Sequence, residues 1–114
     1  MSFRWPNKDP DEQLDYSVDW SRFLGTATIS TVTWSVKSTA YSTKTTLGAG
    51  QTLTVASSSA TTDSIQNVSQ TNTTTVATIN IGGGTNNIEY TFFCNMVDST
   101  GSQAERSIKL RVKE

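Results

Sequence analysis

Histidine is absent from the 114-residue sequence, and cysteine occurs once, at Cys94. The first absence removes the commonest general base and metal ligand, and with them every nucleophile arrangement that depends on histidine. A single cysteine permits no internal disulfide and, without a histidine partner, is poor material for a thiol enzyme. The sequence therefore predicts a protein that is not an enzyme and that uses no cofactor or metal.

Long apolar runs are missing as well. No stretch approaches the roughly 20 residues of a membrane-spanning helix, and the first residues, MSFRWP, lack the apolar centre of a signal peptide. We therefore expect a protein made in a cytoplasm, with no membrane partner. The net charge is −1, so the chain shows no overall bias toward nucleic acid.

Serine and threonine are abundant, at about a third of all residues, whereas hydrophobic residues make up only 34%. Threonine suits exposed strand faces and serine suits turns, so this composition favours β-structure. The length fits one domain with a modest core. Two interpretations stay open: a β-sandwich with thinly covered faces, or a subunit whose missing burial is supplied by its neighbours.

The clearest pattern is a hairpin at the end of the chain, from Asn87 to Glu114. Apolar and polar residues alternate on both sides of a turn, which is typical of half-buried antiparallel strands. The turn contains Gly101, which can adopt a positive φ without steric cost. The inward-facing residues are Ile88, Tyr90, Phe92, Cys94, Met96, Ile108, Leu110 and Val112. On this face Cys94 is expected to be a buried, inert thiol.

Alternation elsewhere predicts further strands and no helix. The strands are Leu14–Phe23, Ile29–Lys37, Thr52–Val55, Ile65–Val68 and Thr75–Ile81, with loops at 56–63 and 82–87 and a turn or solvated edge at 70–74. Trp20 and Trp34 are expected at the centre of the core because each buries a large apolar area. About seven strands spaced in this way predict an all-β fold, an immunoglobulin-like antiparallel β-sandwich. An up-and-down barrel is the alternative.

Residues 1–13 contain both prolines, Pro6 and Pro10, so helix and regular sheet are not expected there. We interpret them as an extended N-terminal arm, which leaves 14–114 as the sandwich domain. The arm carries Phe3 and Trp5. Either these aromatics fold back over the open end of their own sandwich, or they anchor a neighbouring subunit, because exposed aromatics are favoured in interfaces.

Charge is unevenly distributed between the two ends of the chain. The first 20 residues carry five acids, Asp9, Asp11, Glu12, Asp15 and Asp19, whereas the last strand is basic. The opposite charges can pair within one molecule or between copies, where they govern register and partner choice more than affinity. Asp9, Asp11 and Asp15 are therefore candidate partner-binding residues together with Phe3 and Trp5. Calcium binding by the acids is a weaker alternative because their spacing does not match an EF-hand loop.

Both ends also resemble a known family. Trp5-Pro6-Asn7-Lys8-Asp9-Pro10-Asp11-Glu12, followed by 14–20 (LDYSVDW), and the closing segment 101–114 with Ala104-Glu105-Arg106-Ser107 are similar to small structural proteins of tailed bacteriophages and prophages. These are described as fiber-tail adaptor or head-associated proteins. The resemblance implies an immunoglobulin-like component of the virion, made in a bacterial host, with no catalytic residues.

The expected function is therefore assembly. The resemblance implies an adaptor that joins the tail or connector to receptor-binding fibres, present in several copies, with other virion proteins (portal, tail, fibre or capsid) as partners. A capsid decoration protein is the alternative within the same class. A carbohydrate-binding module is a third possibility, which would require exposed aromatics on loops, and only Tyr41 meets that requirement.

Overall fold

The structure, a computed structural model, describes residues 3–39, 44–55 and 61–114. These residues form nine strands and one short helix. The elements are β1 (Phe3–Arg4), β2 (Gln13–Asp19), α1 (Ser21–Leu24), β3 (Ile29–Ser38), β4 (Thr45–Thr46), β5 (Thr52–Val55), β6 (Thr61–Asn72), β7 (Val76–Gly82), β8 (Ile88–Asp98) and β9 (Gln103–Val112). Seven of the strands are four residues or longer, which agrees with the predicted number.

The strands form two sheets that pack face to face. The first sheet has the order β1-β9-β8-β3-β4 and the second has the order β2-β7-β6-β5. All pairings in the described segments are antiparallel except β1 with β9, which is parallel. Two separate sheets confirm the predicted all-β sandwich over the alternative barrel.

The core lies between the sheets and is built from the residues that alternation placed inward. Trp20 and Trp34 are each 1% exposed, so their predicted central position is confirmed. Most inward-facing residues of β7, β8 and β9 are almost fully buried beside them, whereas Ile88 and Ala104 are partly buried. The second sheet ends at β2, and in the first sheet only the two-residue β1 lies beyond β9. The gap between β2 and β9 is therefore closed largely by residues outside the long strands.

The closing hairpin is confirmed in detail. β8 and β9 pair continuously from Ile88 opposite Val112 to Val97 opposite Gln103. Asp98 organises the turn, because its Oδ1 accepts the backbone N–H of Thr100 at 2.9 Å and of Ser102 at 3.0 Å. The Thr100 hydroxyl, which donates to the same oxygen at 2.7 Å, and these backbone N–H groups hold the pKa of Asp98 below its ordinary value. Gly101 has a φ of 90°, as the turn requires.

The predicted C-terminal end of the first strand is wrong. It was expected to continue to Phe23, but β2 stops at Asp19 and the chain turns into α1. The Asp19 carboxylate accepts the N–H of Ser21 at 2.9 Å, and the Trp20 carbonyl accepts the N–H groups of Phe23 and Leu24. This turn seats the Trp20 indole in the core and leaves Phe23 44% exposed. α1 has four residues. Within the described part of the chain, no helix is long enough to cross a membrane.

The expectation that regular sheet is absent from the first 13 residues is also wrong. Phe3 and Arg4 form β1, which pairs with Ile108 and Lys109 of β9. The predicted short strand at 65–68 is the middle of the longer β6. Of the loop predicted at 56–63, residues 61–63 belong to β6 and the remainder lies outside the described residues, as does Tyr41.

Candidate assembly surfaces

The N-terminal arm, residues 3–12, lies along the free side of β9. The Trp5 N–H donates to the Lys109 carbonyl at 2.9 Å and the Lys8 N–H to the Arg111 carbonyl at 3.0 Å. The Lys113 N–H in turn donates to the Lys8 carbonyl at 2.8 Å. Pro6 has no N–H to contribute to this ladder. From Phe3 to Lys8 the arm follows β9, and it covers part of a strand that would otherwise be open to pairing with other chains.

Trp5 fills the gap between β2 and β9, which we call the seam. Its ring centroid lies 4.7 Å from that of Tyr16, 5.8 Å from Phe92 and 6.1 Å from Trp34. Its Nε1 donates a long hydrogen bond of 3.4 Å to the Ser17 carbonyl on β2. The half-buried indole thus bridges the two sheets, which fits the interpretation that the arm covers its own sandwich. The side chain of Phe3 lies outside the described part, and anchoring of a partner by Phe3 or Trp5 stays a prediction.

Replacing Trp5 by alanine should reduce the free energy of unfolding by about 2 kcal/mol, below the cost of truncating a fully buried tryptophan, because the indole is only half-buried. Urea denaturation measures this directly. Trp5→Phe is the matched control, since it keeps a ring in the seam and should recover at least half of the loss. Unchanged stability in Trp5→Ala would show that the indole is not packed in the seam.

Arg106 closes the seam beyond Trp5. Its guanidinium lies 4.5 Å from the Trp20 ring centroid, and its Nη1 donates to the Asp19 carbonyl at 3.1 Å. A cation stacked on an indole at the mouth of the core shields the ring from water. A groove of about 330 Å³ remains there, lined by Arg4, Trp5, Ser17, Val18, Asp19, Arg106 and Ile108. Hydrogen bonds from Ser21 and, to a smaller extent, the charge of Arg106 hold the pKa of the Asp19 carboxyl below its ordinary value. The opposite charges of the two chain ends therefore meet partly within one molecule.

Lys8 is the residue that sequence reasoning missed. Its side chain is fully buried, and its Nζ donates to the carbonyls of Gly83 at 2.6 Å and Asp9 at 2.8 Å. Burial lowers the pKa of Lys8 below 10.5. The nearby acids, Glu12 most of all, act in the opposite direction and raise the pKa, but their effect is smaller. Lys8 thereby fastens the arm to the glycine-rich loop between β7 and β8. A lone lysine in a polar segment gives no sequence signal of such burial.

The acids after Lys8 form a compact turn. The Glu12 N–H donates to the Asp9 carbonyl at 3.0 Å, and the Asp9 N–H donates to Glu12 Oε1 at 2.9 Å. The Asp11 N–H donates to Asp9 Oδ1 at 2.8 Å. Further along, Asp15 on the outer face of β2 accepts a hydrogen bond of 2.8 Å from Asn80 Nδ2. The turn is therefore fixed in shape, and it presents its carboxylates at the surface.

We call this set the acidic surface; it consists of Asp9, Asp11, Glu12, Asp15 and Asp19. None of the three ion pairs within the described residues uses one of these acids. Across the same residues, no group of three or more candidate ligands is arranged to hold a metal ion. The structure therefore gives the calcium alternative no support. The charge of the acidic surface is partly offset, since the Lys8 ammonium lies near the acidic turn and the Arg106 guanidinium lies near Asp19.

The outer face of the first sheet has the opposite character, and we call it the basic face. The three ion pairs lie here: Arg4 with Glu89 at 2.7 Å, Lys44 with Glu105 at 2.6 Å, and Lys109 with Glu89 at 3.9 Å. The Arg4 hydrogen bond and nearby cations hold the pKa of Glu89 below its ordinary value. Cations outnumber carboxylates on this face, since Lys37 and Arg111 lie there as well.

Phe93 stands near the middle of the basic face. It lies between Ser35 on β3 and Ser107 on β9 and is half-buried, although it points away from the core. The ammonium groups of Lys44 and Lys37 lie 4.8 and 5.7 Å from its ring centroid. Cations over a partly exposed ring are a recognised attraction, and they limit the contact of the ring with water.

Cys94 is buried in the core, as expected. Burial raises the pKa of its thiol to about 11, although the Trp20 indole and Arg106 act in the opposite direction. At neutral pH the group is therefore an unreactive thiol, since the thiolate is the nucleophile.

Comparison with known proteins agrees with this description. No curated protein matches the chain. A family model described as the podophage GP4 fiber-tail adaptor protein gp77 matches residues 8–111, which is nearly the whole sandwich and the acidic turn. The resemblance to small structural proteins of tailed phages is confirmed, and a structural role in the phage tail follows from it. The chain belongs to the podophage GP4 fiber-tail adaptor family.

Proposed function

We propose that this protein is an adaptor of the phage virion that joins the tail or connector to receptor-binding fibres. Support comes from the family match over 8–111 together with the acidic surface, a set of charges that the described ion pairs leave unused. Opposite potentials steer association and fix the register of partners. The acidic surface is therefore the contact that we assign to assembly.

The arm contributes by presenting that surface. Trp5 in the seam and Lys8 under the glycine-rich loop hold the two ends of the short segment that leads into the acidic turn. A fixed turn loses little conformational freedom on binding, so more of the contact energy is available for affinity. The predicted partner residues Asp9, Asp11 and Asp15 then bind the partner through their negative charges, while Trp5 packs against its own sandwich.

The triple variant Asp9→Asn, Asp11→Asn, Asp15→Asn tests the proposal in phage particles. Asparagine keeps the Oδ1 acceptor used by the Asp11 N–H and by Asn80, so the fold should persist while three charges are lost. We expect normal thermal stability and about tenfold less protein in purified particles, corresponding to roughly 0.5 kcal/mol per removed charge.

The control removes a carboxylate outside both charged surfaces, with Glu114→Gln, and should leave incorporation unchanged. Particles that take up the triple variant as well as the native protein would contradict the assignment of the acidic surface. Attachment of fibres to the particles, counted by electron microscopy, tests the adaptor role itself. Normal fibre attachment in particles that lack the protein would contradict that role.

A further inference from the structure

The second sheet ends at β2, which is a long and regular edge strand. Among the edge strands of the two described sheets, β1 and β4 have two residues and β5 has four, whereas β2 has seven. β2 pairs with β7 from Gln13 opposite Gly82 to Asp19 opposite Val76 without a register shift, so it contains no bulge. An edge of this kind is open to pairing with another strand unless charges or covering segments prevent it.

The register with β7 shows which backbone groups of β2 face the free edge. In an antiparallel pair, residues that bond to the neighbouring strand alternate with residues whose N–H and C=O face the other side. The Trp20 N–H donates to the Thr75 carbonyl, so the even-numbered residues of β2 bond to β7. The N–H groups of Asp15, Ser17 and Asp19 therefore point to the free edge. Within the described segments, these three N–H groups have no hydrogen-bond partner.

The free edge of β2 borders the groove at the seam. On the inner side, the Ser17 and Asp19 carbonyls already accept side-chain N–H groups, from Trp5 at 3.4 Å and from Arg106 at 3.1 Å. The groove of about 330 Å³ beside them is lined by apolar as well as charged side chains. Leu14 lies on the inward-facing side of β2 but is 37% exposed. A strand added here with small apolar residues facing inward would cover Leu14 and the half-buried Trp5 ring.

The outward-facing side of β2 determines the charge that an added strand should carry. Asp15 and Asp19 stand on this side, and the acidic turn comes directly before the strand. Like charges directly opposite each other destabilise a strand pair, whereas opposite charges stabilise it. The β2 edge of a second copy would bring carboxylates against carboxylates. The edge therefore fits a strand of another protein that carries lysine or arginine on its outward-facing side.

We propose that the free edge of β2 binds an extended segment of another tail or fibre protein, which adds to the second sheet as a strand and alternates cationic with small apolar residues. The N–H groups of Asp15, Ser17 and Asp19 donate to the carbonyls of that segment. Backbone hydrogen bonds then give affinity and the alternate side chains give specificity. The inference rests on the proposed function, which names the acidic surface as a contact with the partner, and it adds how the partner binds.

A peptide of the proposed chemistry tests binding to the purified protein. The probe has the length of β2, seven residues, alternates lysine with valine and has blocked ends. Tryptophan fluorescence reports binding because Trp20 and Trp34 are already buried, so Trp5 is the indole that loses water. We expect a saturable shift of the emission to shorter wavelength, and about tenfold weaker binding of a peptide with glutamate in place of lysine. No saturable shift up to about 1 mM peptide would overturn the proposal.

Amide hydrogen exchange tests how the peptide binds to the native protein. The peptide should slow exchange at Asp15, Ser17 and Asp19, whose N–H groups face the free edge. Exchange at Tyr16 and Val18 should be slow with and without peptide, because these residues bond to β7. Binding that leaves the three edge amides unprotected would overturn the proposal, since the peptide would then be held by its charge alone.

Ser17→Pro removes the central N–H of the free edge, where proline is tolerated because that N–H faces solvent. Ser17→Ala is the matched control, since both variants lose the hydroxyl that contacts Thr78 Oγ1 and alanine keeps the N–H. The peptide should bind Ser17→Pro about tenfold more weakly than Ser17→Ala. Equal affinities in the two variants, each shown to be folded by circular dichroism, would overturn the proposal. If Ser17→Pro does not fold, amide exchange in the native protein decides.

The particle assay separates this inference from the proposed function. If the triple asparagine variant is lost from particles but the peptide does not bind at the β2 edge, the acidic surface binds its partner through side chains, and the inference alone falls. If the peptide protects the edge amides while the triple variant enters particles normally, strand addition stands and the role assigned to the acidic surface in the adaptor falls.

Discussion

Replacing Gly83 by alanine should lower the free energy of unfolding by about 3 to 4 kcal/mol, the largest effect that we expect from a single methyl group. Gly83 has a φ of 69°, where residues with a Cβ are strained. A Cβ there would also lie 2.1 Å from the Ser64 carbonyl oxygen, a backbone atom that cannot swing aside. The loop would have to shift, and the Gly83 carbonyl would move away from Lys8.

The matched control is Gly50→Ala. Gly50 has a similar φ of 80°, but a Cβ there would meet nothing within 4 Å. The control should therefore lose only the left-handed strain, about 1 to 2 kcal/mol. Urea denaturation of both variants gives the difference, which measures the clash. Equal losses in the two variants would show that the approach of Gly83 to β6 is not close.

Replacing Lys8 by methionine should cost about 2 to 3 kcal/mol. Methionine keeps an aliphatic side chain of similar length but leaves the carbonyls of Asp9 and Gly83 without their donor. A buried acceptor without a partner retains its desolvation cost. Lys113→Met is the matched control, because Lys113 is exposed, and its replacement should change stability by less than about 0.5 kcal/mol. An unchanged free energy of unfolding in Lys8→Met would mean that the Lys8 amine does not hold the glycine-rich loop.

The same variant has a pH signature. Because burial places the pKa of Lys8 in the folded protein below 10.5, the folded chain binds fewer protons than the unfolded chain between the two values. The contribution of Lys8 to stability therefore increases as pH rises through that window. The stability difference between native protein and Lys8→Met should grow as the pH rises toward 10.5. Tyr16, whose pKa burial raises to about 12, is common to both and cancels.

The sheets were predictable because their signal is local. Alternation over eight or more residues, with a turn such as 98–102, identifies a hairpin without reference to the remainder of the chain. The positions of Trp20 and Trp34 follow from the same pattern. The helix at Ser21–Leu24 was missed although the alternation of β2 already fails there, since Arg22 falls on the inward face and Phe23 on the outward face. Four residues are too few to show a helical period.

The candidate surfaces were less predictable because they depend on contacts between distant segments. The acids of 9–19 can be read from the sequence, but whether their charge is neutralised depends on where the fold places Lys8 and the basic residues of β9. The same is true of Trp5, whose neighbours Trp34 and Phe92 are brought to the seam by two different strands. The burial of Lys8 depends on a carbonyl 75 positions away.

The parallel pairing of the arm with β9 has a consequence for the order of folding. Phe3 lies opposite Ile108, so nearly the whole chain must be arranged before this ladder can form. The entropy of closing so long a loop disfavours the contact early in folding. Removing the Trp5 ring should accordingly accelerate unfolding and leave the rate of folding almost unchanged. The arm thus docks on β9 late in folding, and it can detach locally while the long strands of both sheets stay paired.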